Sequence, residues 1–243
     1  MNEPRLLRDA APIASRARYE QLPARRVFPC GVCGRDVGRN QWAHYECAVE
    51  QRQEALRREL AEARATIPSD YAWATFDAPE IRRRVKPAKA LLIAAGAWAE
   101  GERMLTLTGP SGAGKTSLAC AMLRMTIDSG WCGVETSRFV RSWELAKARS
   151  EHSLGRGEAP LVTLALRAHT LVIDELGEEL RSSSKLVRGD TAIRDVLHQR
   201  QAEGRRTIVT TYLSIDEIAE AYGAGIARRL HERGIVIELG GGA

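Results

Sequence analysis

The sequence lacks any uninterrupted apolar run of the roughly 18 residues that a transmembrane helix requires. Even the apolar stretch 88–99 is interrupted by Lys89 and ends at Glu100. The amino-terminal segment carries arginines but not the apolar core of a secretory signal. Five cysteines, an odd number, do not suggest a disulfide framework. We therefore expect a cytoplasmic protein without membrane contact.

Internal repeats and long low-complexity tracts are also missing from the sequence. The 243 residues are 44% apolar, enough for one α/β domain and a small accessory module. The formal charge of +5 is compatible with a polyanionic partner, but it is equally normal for a soluble surface. Charge alone therefore does not decide the function.

Composition changes twice along the chain. Residues 1–28 are rich in Arg and Ala and predict a basic arm that is either flexible or forms short helices. Residues 29–66 hold four potential metal ligands and then a charged run, 50–64, with helical spacing. Residues 67–243 form the third zone, since Pro68 ends that helix.

The third zone alternates between β-like and helical patterns, which predicts an α/β domain with a parallel sheet covered on both faces. The β-like runs are 104–108, 133–136, 171–173, 207–211 and 235–239. The helical patterns between them include 116–127, 142–149, 190–201 and 215–222.

A phosphate-binding pattern, G-x-x-x-x-G-K-[ST], follows the first of these strands and leads into a helix. It reads Gly109, Pro110, Ser111, Gly112, Ala113, Gly114, Lys115, Thr116, and Ser117 continues the predicted nucleotide site. Glycines let the loop curl so that backbone N–H groups and the helix N-terminus face the phosphates. Lys115 is expected to contact the β- and γ-phosphates, and Thr116 to bind Mg²⁺. The pattern therefore predicts ATP and Mg²⁺ as cofactors.

Two adjacent acids follow the apolar run 171–173. Ligands of a parallel sheet bind at the carboxyl ends of its strands, so Asp174 is expected to hold Mg²⁺ with Thr116. Glu175 is then placed to orient and deprotonate the attacking water. An acid that activates water favours ATP hydrolysis over small-molecule kinase chemistry.

Two further segments supply candidates for γ-phosphate contact. The run 206–212 ends in Thr210, Thr211 and Tyr212, any of which could sense the phosphate, although β-propensity alone also supplies threonines. Arg228 and Arg229 lie on a predicted helix, and one of them could reach a neighbouring subunit's ATP as an arginine finger. A solvated helix face is the alternative.

Four metal-ligand types occur at zinc-site spacing in the second zone: Cys30-x2-Cys33-x10-His44-x2-Cys47. Gly31, Gly34 and Gly38 permit the tight turns of such a site. Because a module this small cannot bury much apolar area, zinc would supply much of its folding free energy. We expect a closed, structural Zn²⁺ site.

Basic and aromatic side chains alternate between the second and third predicted strands. They are Arg138, Phe139, Arg141, Trp143, Lys147, Arg149 and Arg156. Such a mixture is typical of single-stranded DNA binding, but a charged amphipathic helix with core aromatics gives the same pattern. Both interpretations stay open.

The ordered set of motifs over residues 67–239 resembles the AAA+ helicase-loader family of the DnaC and DnaI kind, related to IstB-type transposition ATPases. The residues that carry the resemblance are Ile67-Pro68-x-x-Tyr71 with Thr75-Phe76, the phosphate-binding loop, Ile173-Asp174-Glu175-Leu176-Gly177, Arg200, 207–214, and Tyr222-Gly223 through Leu230. The resemblance implies a five-stranded parallel sheet in the AAA+ order and nucleotide bound between subunits. It also implies that Arg229 is the finger that acts in trans.

The resemblance implies that the protein is an ATP-dependent helicase loader, which binds a hexameric replicative helicase and single-stranded DNA. It also implies that copies of the protein associate through bound ATP and that ATP hydrolysis releases the loader from the helicase. The zinc-bearing head of DnaI-like loaders, which grips the helicase, favours this hypothesis. The main alternative is an IstB-like regulator of transposition; a kinase and a zinc-tethered adaptor with a degenerate ATPase are others. Tyr212 replaces the usual sensor asparagine, so hydrolysis is expected to be slow or to depend on Thr211.

Overall fold

The computed structural model describes residues 28–37, 44–129, 137–153, 155–181, 189–232 and 234–240. Two compact units divide the chain, Met1–Ala55 and Leu56–Ala243. The predicted strand 133–136 and nearly all of the predicted arm lie outside the described residues. The domain limits drawn from the sequence stay predictions.

The first unit contains a small antiparallel ribbon. Its strands are β1 (Phe28–Pro29) and β2 (Asp36–Val37), with Phe28 opposite Val37. The tight turn between them is closed by the Cys30 N–H, which donates to the carbonyl of Arg35 at 2.7 Å. Helix α1 (Tyr45–Ala65) follows and contains the predicted helical run 50–64.

The second unit alternates helices and strands as the sequence predicts. Its helices are α2 (Pro79–Arg84), α3 (Lys89–Ala99), α4 (Lys115–Asp128), α5 (Ser142–Glu151), α6 (Pro160–Arg167), α7 (Gly189–Ala202), α8 (Ile215–Tyr222) and α9 (Ala224–Glu232). Its strands are β3 (Met104–Thr108), β4 (Ser137–Arg141), β5 (Thr170–Leu176), β6 (Arg206–Thr211) and β7 (Ile235–Glu238).

These strands form one five-stranded sheet in the order β4-β5-β6-β3-β7, and every pairing is parallel. The predicted α/β fold with a parallel sheet is therefore confirmed. All carboxyl ends of a parallel sheet lie at the same edge, so the residues that follow β3, β5 and β6 meet there.

Alternate residues of the central strands serve two separate cores. On β5, Val172 packs with α2, α3 and α4 on one face, whereas Leu171 and Ile173 pack with α5 to α9 on the other. The same alternation holds on β6, where Ile208 and Val209 belong to opposite faces. Burial on both faces explains why these strands read as continuous apolar runs. Among the described helices, none is both long and apolar enough to span a bilayer.

Candidate functional site

The loop 109–114 joins the end of β3 to the start of α4, and glycine is required at two of its positions. Gly109 has φ of 134°, and a Cβ there would lie 2.1 Å from the Leu239 carbonyl oxygen. Gly114 has φ of 88°, and its Cβ would lie 3.0 Å from the Arg84 carbonyl oxygen. Other residues would be strained or would clash at both points. The loop therefore curls tightly over the N-terminus of α4, as phosphate binding demands.

A cavity of about 430 Å³ opens beside this loop at the carboxyl edge of the sheet. This volume lies within the roughly 300–1,000 Å³ range of ligand sites in proteins. Its lining residues are Tyr71, Arg84, Ser111, Gly112, Gly114, Lys115, Thr116, Ser117, Glu175, Glu178, Thr210, Thr211 and Tyr212. The structure thus brings most of the predicted nucleotide-binding residues to one cavity.

The ammonium of Lys115 bonds to the loop itself. Its Nζ donates to the carbonyl oxygens of Gly109 at 2.7 Å and Pro110 at 2.8 Å. Partial burial lowers the pKa of Lys115, while the negative charges of Asp174 and Glu175 oppose that shift. Phosphate oxygens carry more negative charge than carbonyl oxygens, so a triphosphate would compete strongly for this ammonium.

Asp174 accepts hydrogen bonds from two hydroxyls at the tip of β5. Thr116 Oγ1 lies 3.0 Å and Thr210 Oγ1 lies 2.6 Å from Asp174 Oδ1. The side chain is only 2% exposed, and burial raises its pKa although both hydroxyl bonds lower it. A carboxylate beside a threonine hydroxyl is an oxygen donor set that suits Mg²⁺, and a cation there would offset the cost of the buried charge.

Glu175 adopts an unusual backbone conformation. Its φ is 58°, in the left-handed region that residues other than glycine rarely adopt, and the β5–β6 pairing shifts register between Ile173 and Leu176. Its N–H donates to Thr210 Oγ1 at 2.9 Å, and its carbonyl accepts a hydrogen bond from Ser142 Oγ at 2.7 Å. This bulge leaves Asp174 buried while the adjacent Glu175 is exposed and lines the cavity.

The three candidates at the end of β6 make different contacts. Thr210 bonds to Asp174, as described above, whereas Thr211 Oγ1 donates to the Leu176 carbonyl at 2.8 Å and accepts from the Leu213 N–H at 3.0 Å. Tyr212 donates its hydroxyl hydrogen to the Gly177 carbonyl at 3.1 Å. Among these three residues, Thr210 is therefore the one that hydrogen-bonds to the Asp174 carboxylate.

Arg229 does not line this cavity. It lines two others together with His198, and one of these is also lined by Met104 and Gly204, at the amino ends of β3 and β6. Nucleotide contact by Arg229 would consequently have to involve another copy of the chain.

Three cavity residues, Tyr71, Arg84 and Glu178, had no assigned role in the site predicted from the sequence. Tyr71 belongs to the Ile-Pro-x-x-Tyr motif that carried the family resemblance, so a signal for it existed. Arg84 had none, because only the packing of α2 beside the loop brings it there. Its guanidinium also lies 5.0 Å from the centre of the Trp73 ring.

The first unit brings together all four predicted metal ligands. One ligand atom from each of Cys30, Cys33, His44 and Cys47 lies within 4.8 Å of the others. Cys33 Sγ and His44 Nδ1 are 3.5 Å apart, which equals the roughly 3.5 Å expected across a tetrahedral zinc ion with normal bond lengths. The donor set and its spacing therefore fit Zn²⁺.

The thiols of this cluster titrate differently. The backbone N–H of Cys33 donates to the Cys30 sulfur and lowers the pKa of Cys30 to about 6, whereas burial raises the pKa of Cys47 to about 11. A bound cation would hold all of them as thiolates.

The predicted basic and aromatic surface is only partly available for DNA. Arg149 forms ion pairs with Glu158 and, at 2.6 Å, with Asp195, and its side chain is 17% exposed. Phe139 packs on the core, whereas Trp143 is 38% exposed. Arg149 and Phe139 thus have structural contacts, and Trp143 remains a candidate for base stacking.

Comparison with known proteins gives one family match. The model of a family described as IstB-like ATP binding protein matches residues 48–233, about three quarters of the chain. A search of curated protein sequences found no significant match.

Solved structures show the same fold at low identity. The crystal structure of the DnaC helicase loader is 20% identical with a TM-score of 0.54, and the match covers 71% of this chain and 99% of that one. The DnaI structure is 24% identical with a TM-score of 0.51, covering 68% and 95% respectively. AMPPCP-bound DnaA from Aquifex aeolicus is 17% identical with a TM-score of 0.53, covering 71% of this chain and 51% of that one. This chain therefore spans about half of the DnaA chain, but nearly all of the DnaC and DnaI chains.

Proposed function

The chain belongs to the IstB-like ATP binding protein family, and we propose that it is an ATP-dependent loader of a replicative DNA helicase, because its metal-ligand cluster resembles the zinc-bearing head of DnaI-like loaders. It is an ATP-hydrolysing P-loop ATPase of the AAA+ type, related to DnaC and DnaI. The observation that carries the proposal is the meeting of Lys115, the Thr116–Asp174–Thr210 cluster and Glu175 at one cavity. The loader would hold a hexameric helicase, engage single-stranded DNA and leave when ATP is hydrolysed.

Each residue of the cavity has a defined role in this proposal. Lys115 exchanges its two carbonyl acceptors for phosphate oxygens, and the loop's N–H groups surround the same anion. Thr116 and Asp174 would hold Mg²⁺, and the cation would supply positive charge beside the phosphates. Glu175 accepts a proton from the attacking water, and Thr210 keeps the Asp174 and Glu175 positions fixed relative to each other. Arg229 of a neighbouring copy completes the charge compensation.

Two variants with matched controls test the ATPase assignment. Lys115→Ala should weaken ATP binding by at least about 100-fold, because a charged phosphate contact contributes several kcal/mol. Glu175→Gln should bind ATP normally but hydrolyse it roughly 100- to 10,000-fold more slowly. Lys89→Ala and Glu220→Gln, at exposed sites on α3 and α8, should match wild type in both assays. Equal ATP affinity of Lys115→Ala and wild type in fluorescence titration would contradict the proposal.

The loader role is tested by capture of the partner. Glu175→Gln charged with ATP should remain assembled, so a pull-down from native cells should recover a replicative helicase. Lys115→Ala is the control, and it should recover none. The family match favours a second candidate, the IstB-like regulator of transposition. Recovery of a transposase, with ATP-dependent filaments on duplex DNA, would select that function instead.

The cysteine cluster is proposed to be a closed zinc site that shapes the surface which grips the helicase. The purified protein should contain one zinc per chain by elemental analysis. Cys33→Ser should lower that content and weaken helicase capture, since one of four ligands is lost. Cys120→Ser, at a buried cysteine of α4, is the matched control and should keep its zinc. Full zinc content in Cys33→Ser would refute the assigned ligand set.

A further inference from the structure

Two adjoining cavities form a basic groove beside α7 and α9, and the larger one reaches the amino ends of β3 and β6, opposite the nucleotide cavity. They measure about 430 Å³ and 190 Å³ and share His198 and Arg229. Arg103 and Arg205 line the larger cavity, and Arg194 lines the smaller one. We call this surface, defined by Arg103, Arg194, His198, Arg205 and Arg229, the basic groove.

Arg194 and Arg229 both lie close to residues 223–225, where α8 ends and α9 begins. A Cβ at Gly223 would lie 4.0 Å from Arg194 Nη2, and one at Gly225 would lie 3.2 Å from Arg229 Nη1. The two guanidinium groups therefore flank the same three-residue segment, although one arginine is on α7 and the other on α9.

Neither of these two charges is neutralised within the described part of the chain, where no carboxylate forms an ion pair with Arg194 or Arg229. The neighbouring acids are already engaged, since Asp195 pairs with Arg149 and Glu203 pairs with Arg205. Asp195 also lines the smaller cavity, but its ion-pair partner is Arg149, so Arg194 and Arg229 leave an excess of positive charge that can attract a multivalent anion.

The nucleotide cavity has the complementary character. It lies at the carboxyl edge of the sheet and is lined by Lys115 and Arg84 as well as Glu175 and Glu178, and the triphosphate that it is proposed to bind would supply the negative charge. A copy that presents its amino-edge groove to the carboxyl-edge cavity of the next copy would bring arginines to that triphosphate.

We propose that the basic groove receives the triphosphate bound by a second copy of this chain, and that Arg194 contacts it beside Arg229. This inference rests on the proposed role of Arg229 and extends it to a second trans-acting residue. Arg194 stabilises the charge of the neighbour's triphosphate, so its loss slows hydrolysis in the neighbour and not in its own site.

Nucleic acid is the other polyanion that a basic groove could hold. Single-strand binding normally adds exposed rings on which bases stack. The tyrosine that lines the smaller cavity, Tyr222, is 1% exposed, and among the described residues no Phe, Trp or other Tyr lines either cavity. These features favour a triphosphate over a DNA strand.

Subunit mixing tests the trans role directly. Arg194→Ala alone should hydrolyse ATP roughly 10- to 100-fold more slowly than wild type, as expected for one charge-assisted contact. Adding excess Glu175→Gln, which is inactive but has an intact groove, should restore much of this activity. The double variant Arg194→Ala/Glu175→Gln should not restore it. Arg167→Ala, at an exposed arginine on α6, should hydrolyse ATP normally without any addition.

The outcomes separate the inference from the proposed function. If Glu175→Gln rescues Arg229→Ala while Arg194→Ala is fully active alone, the inference is overturned and the proposed function stands. A slow Arg194→Ala that is not rescued acts in its own site, which also overturns the inference. If Arg194→Ala hydrolyses ATP normally but binds DNA more weakly than wild type, the groove binds nucleic acid and the inference is overturned. If Arg229→Ala itself is not rescued, the trans finger of the proposed function fails.

Discussion

At the scale of one residue, the buried carboxylate of Asp174 shows how a group proposed to bind Mg²⁺ can lower the free energy of unfolding. Its carboxylate is almost fully buried, and the hydrogen bonds that it accepts from described side chains come from the neutral hydroxyls of Thr116 and Thr210. Burial raises its pKa, so the ionised form is disfavoured in the folded state. Without bound magnesium and nucleotide, this charge should lower the free energy of unfolding at neutral pH.

Asp174→Asn should therefore raise the free energy of unfolding by about 1 kcal/mol and abolish Mg²⁺-dependent hydrolysis. The amide oxygen can still accept both hydroxyl bonds, while the buried charge is removed. As pH falls through the raised folded pKa toward the ordinary value of 3.8, wild-type Asp174 gains a proton and its penalty disappears. The difference between the two proteins, measured by chemical denaturation, should thus narrow in acid. A variant less stable than wild type at pH 7 would contradict this account.

The sequence predicted Asp174 and Glu175 because strand tips of parallel sheets expose ligands. It could not single out Thr210 from Thr211, since that choice depends on the register of β6 against β5 and on the bulge at Glu175. Arg84 was missed for a related reason: its place in the cavity depends on packing between distant segments, which no local pattern encodes.

At the scale of helices and strands, the buried side chain of Arg200 links helix α6 to strand β6. Arg200 on α7 is 0% exposed and donates to the carbonyls of Ala165 at 2.8 Å, Ala168 at 2.5 Å and Arg206 at 2.6 Å, and to Thr207 Oγ1 at 3.0 Å. Burial lowers its pKa to about 9. Its carbonyl partners lie in the last turn of α6, in the segment before β5 and at the first residue of β6. The family pattern marked Arg200, but its long-range contacts came only from the structure.

Arg200→Met should lower the free energy of unfolding by at least about 3 kcal/mol, because several buried carbonyls would lose their donor. Arg205→Met is the matched control on the same side of the sheet. That side chain is partly exposed and pairs with Glu203, so its loss should cost less than about 1 kcal/mol. Urea denaturation measures both, and equal effects would show that burial of the guanidinium is unimportant.

The positions of the nucleotide cavity and Arg229 constrain assembly at the scale of the whole molecule. The cavity lies at the carboxyl edge of the sheet and Arg229 near its amino edge. A contact between these two surfaces joins different faces of successive copies, which makes it heterologous. Such contacts close into rings or continue as helical filaments, whereas a two-fold dimer would place identical surfaces together.

Glu175→Gln with ATP should therefore form species larger than a dimer, and their mean size should grow with protein concentration in mass photometry. Removal of ATP should return the protein to smaller species, since the triphosphate provides the charge that the groove binds. Arg229→Glu should stop growth even with ATP, because it places a carboxylate against the neighbour's phosphates and adds repulsion. Lys89→Glu, which reverses a charge at an exposed site on α3, leaves both surfaces intact and should assemble as before. A discrete dimer that persists at all concentrations would require a two-fold interface, which places identical surfaces together. Because the nucleotide cavity and Arg229 lie at opposite edges of the sheet, such an interface would keep Arg229 away from the nucleotide of its neighbour. That result would contradict the predicted assembly.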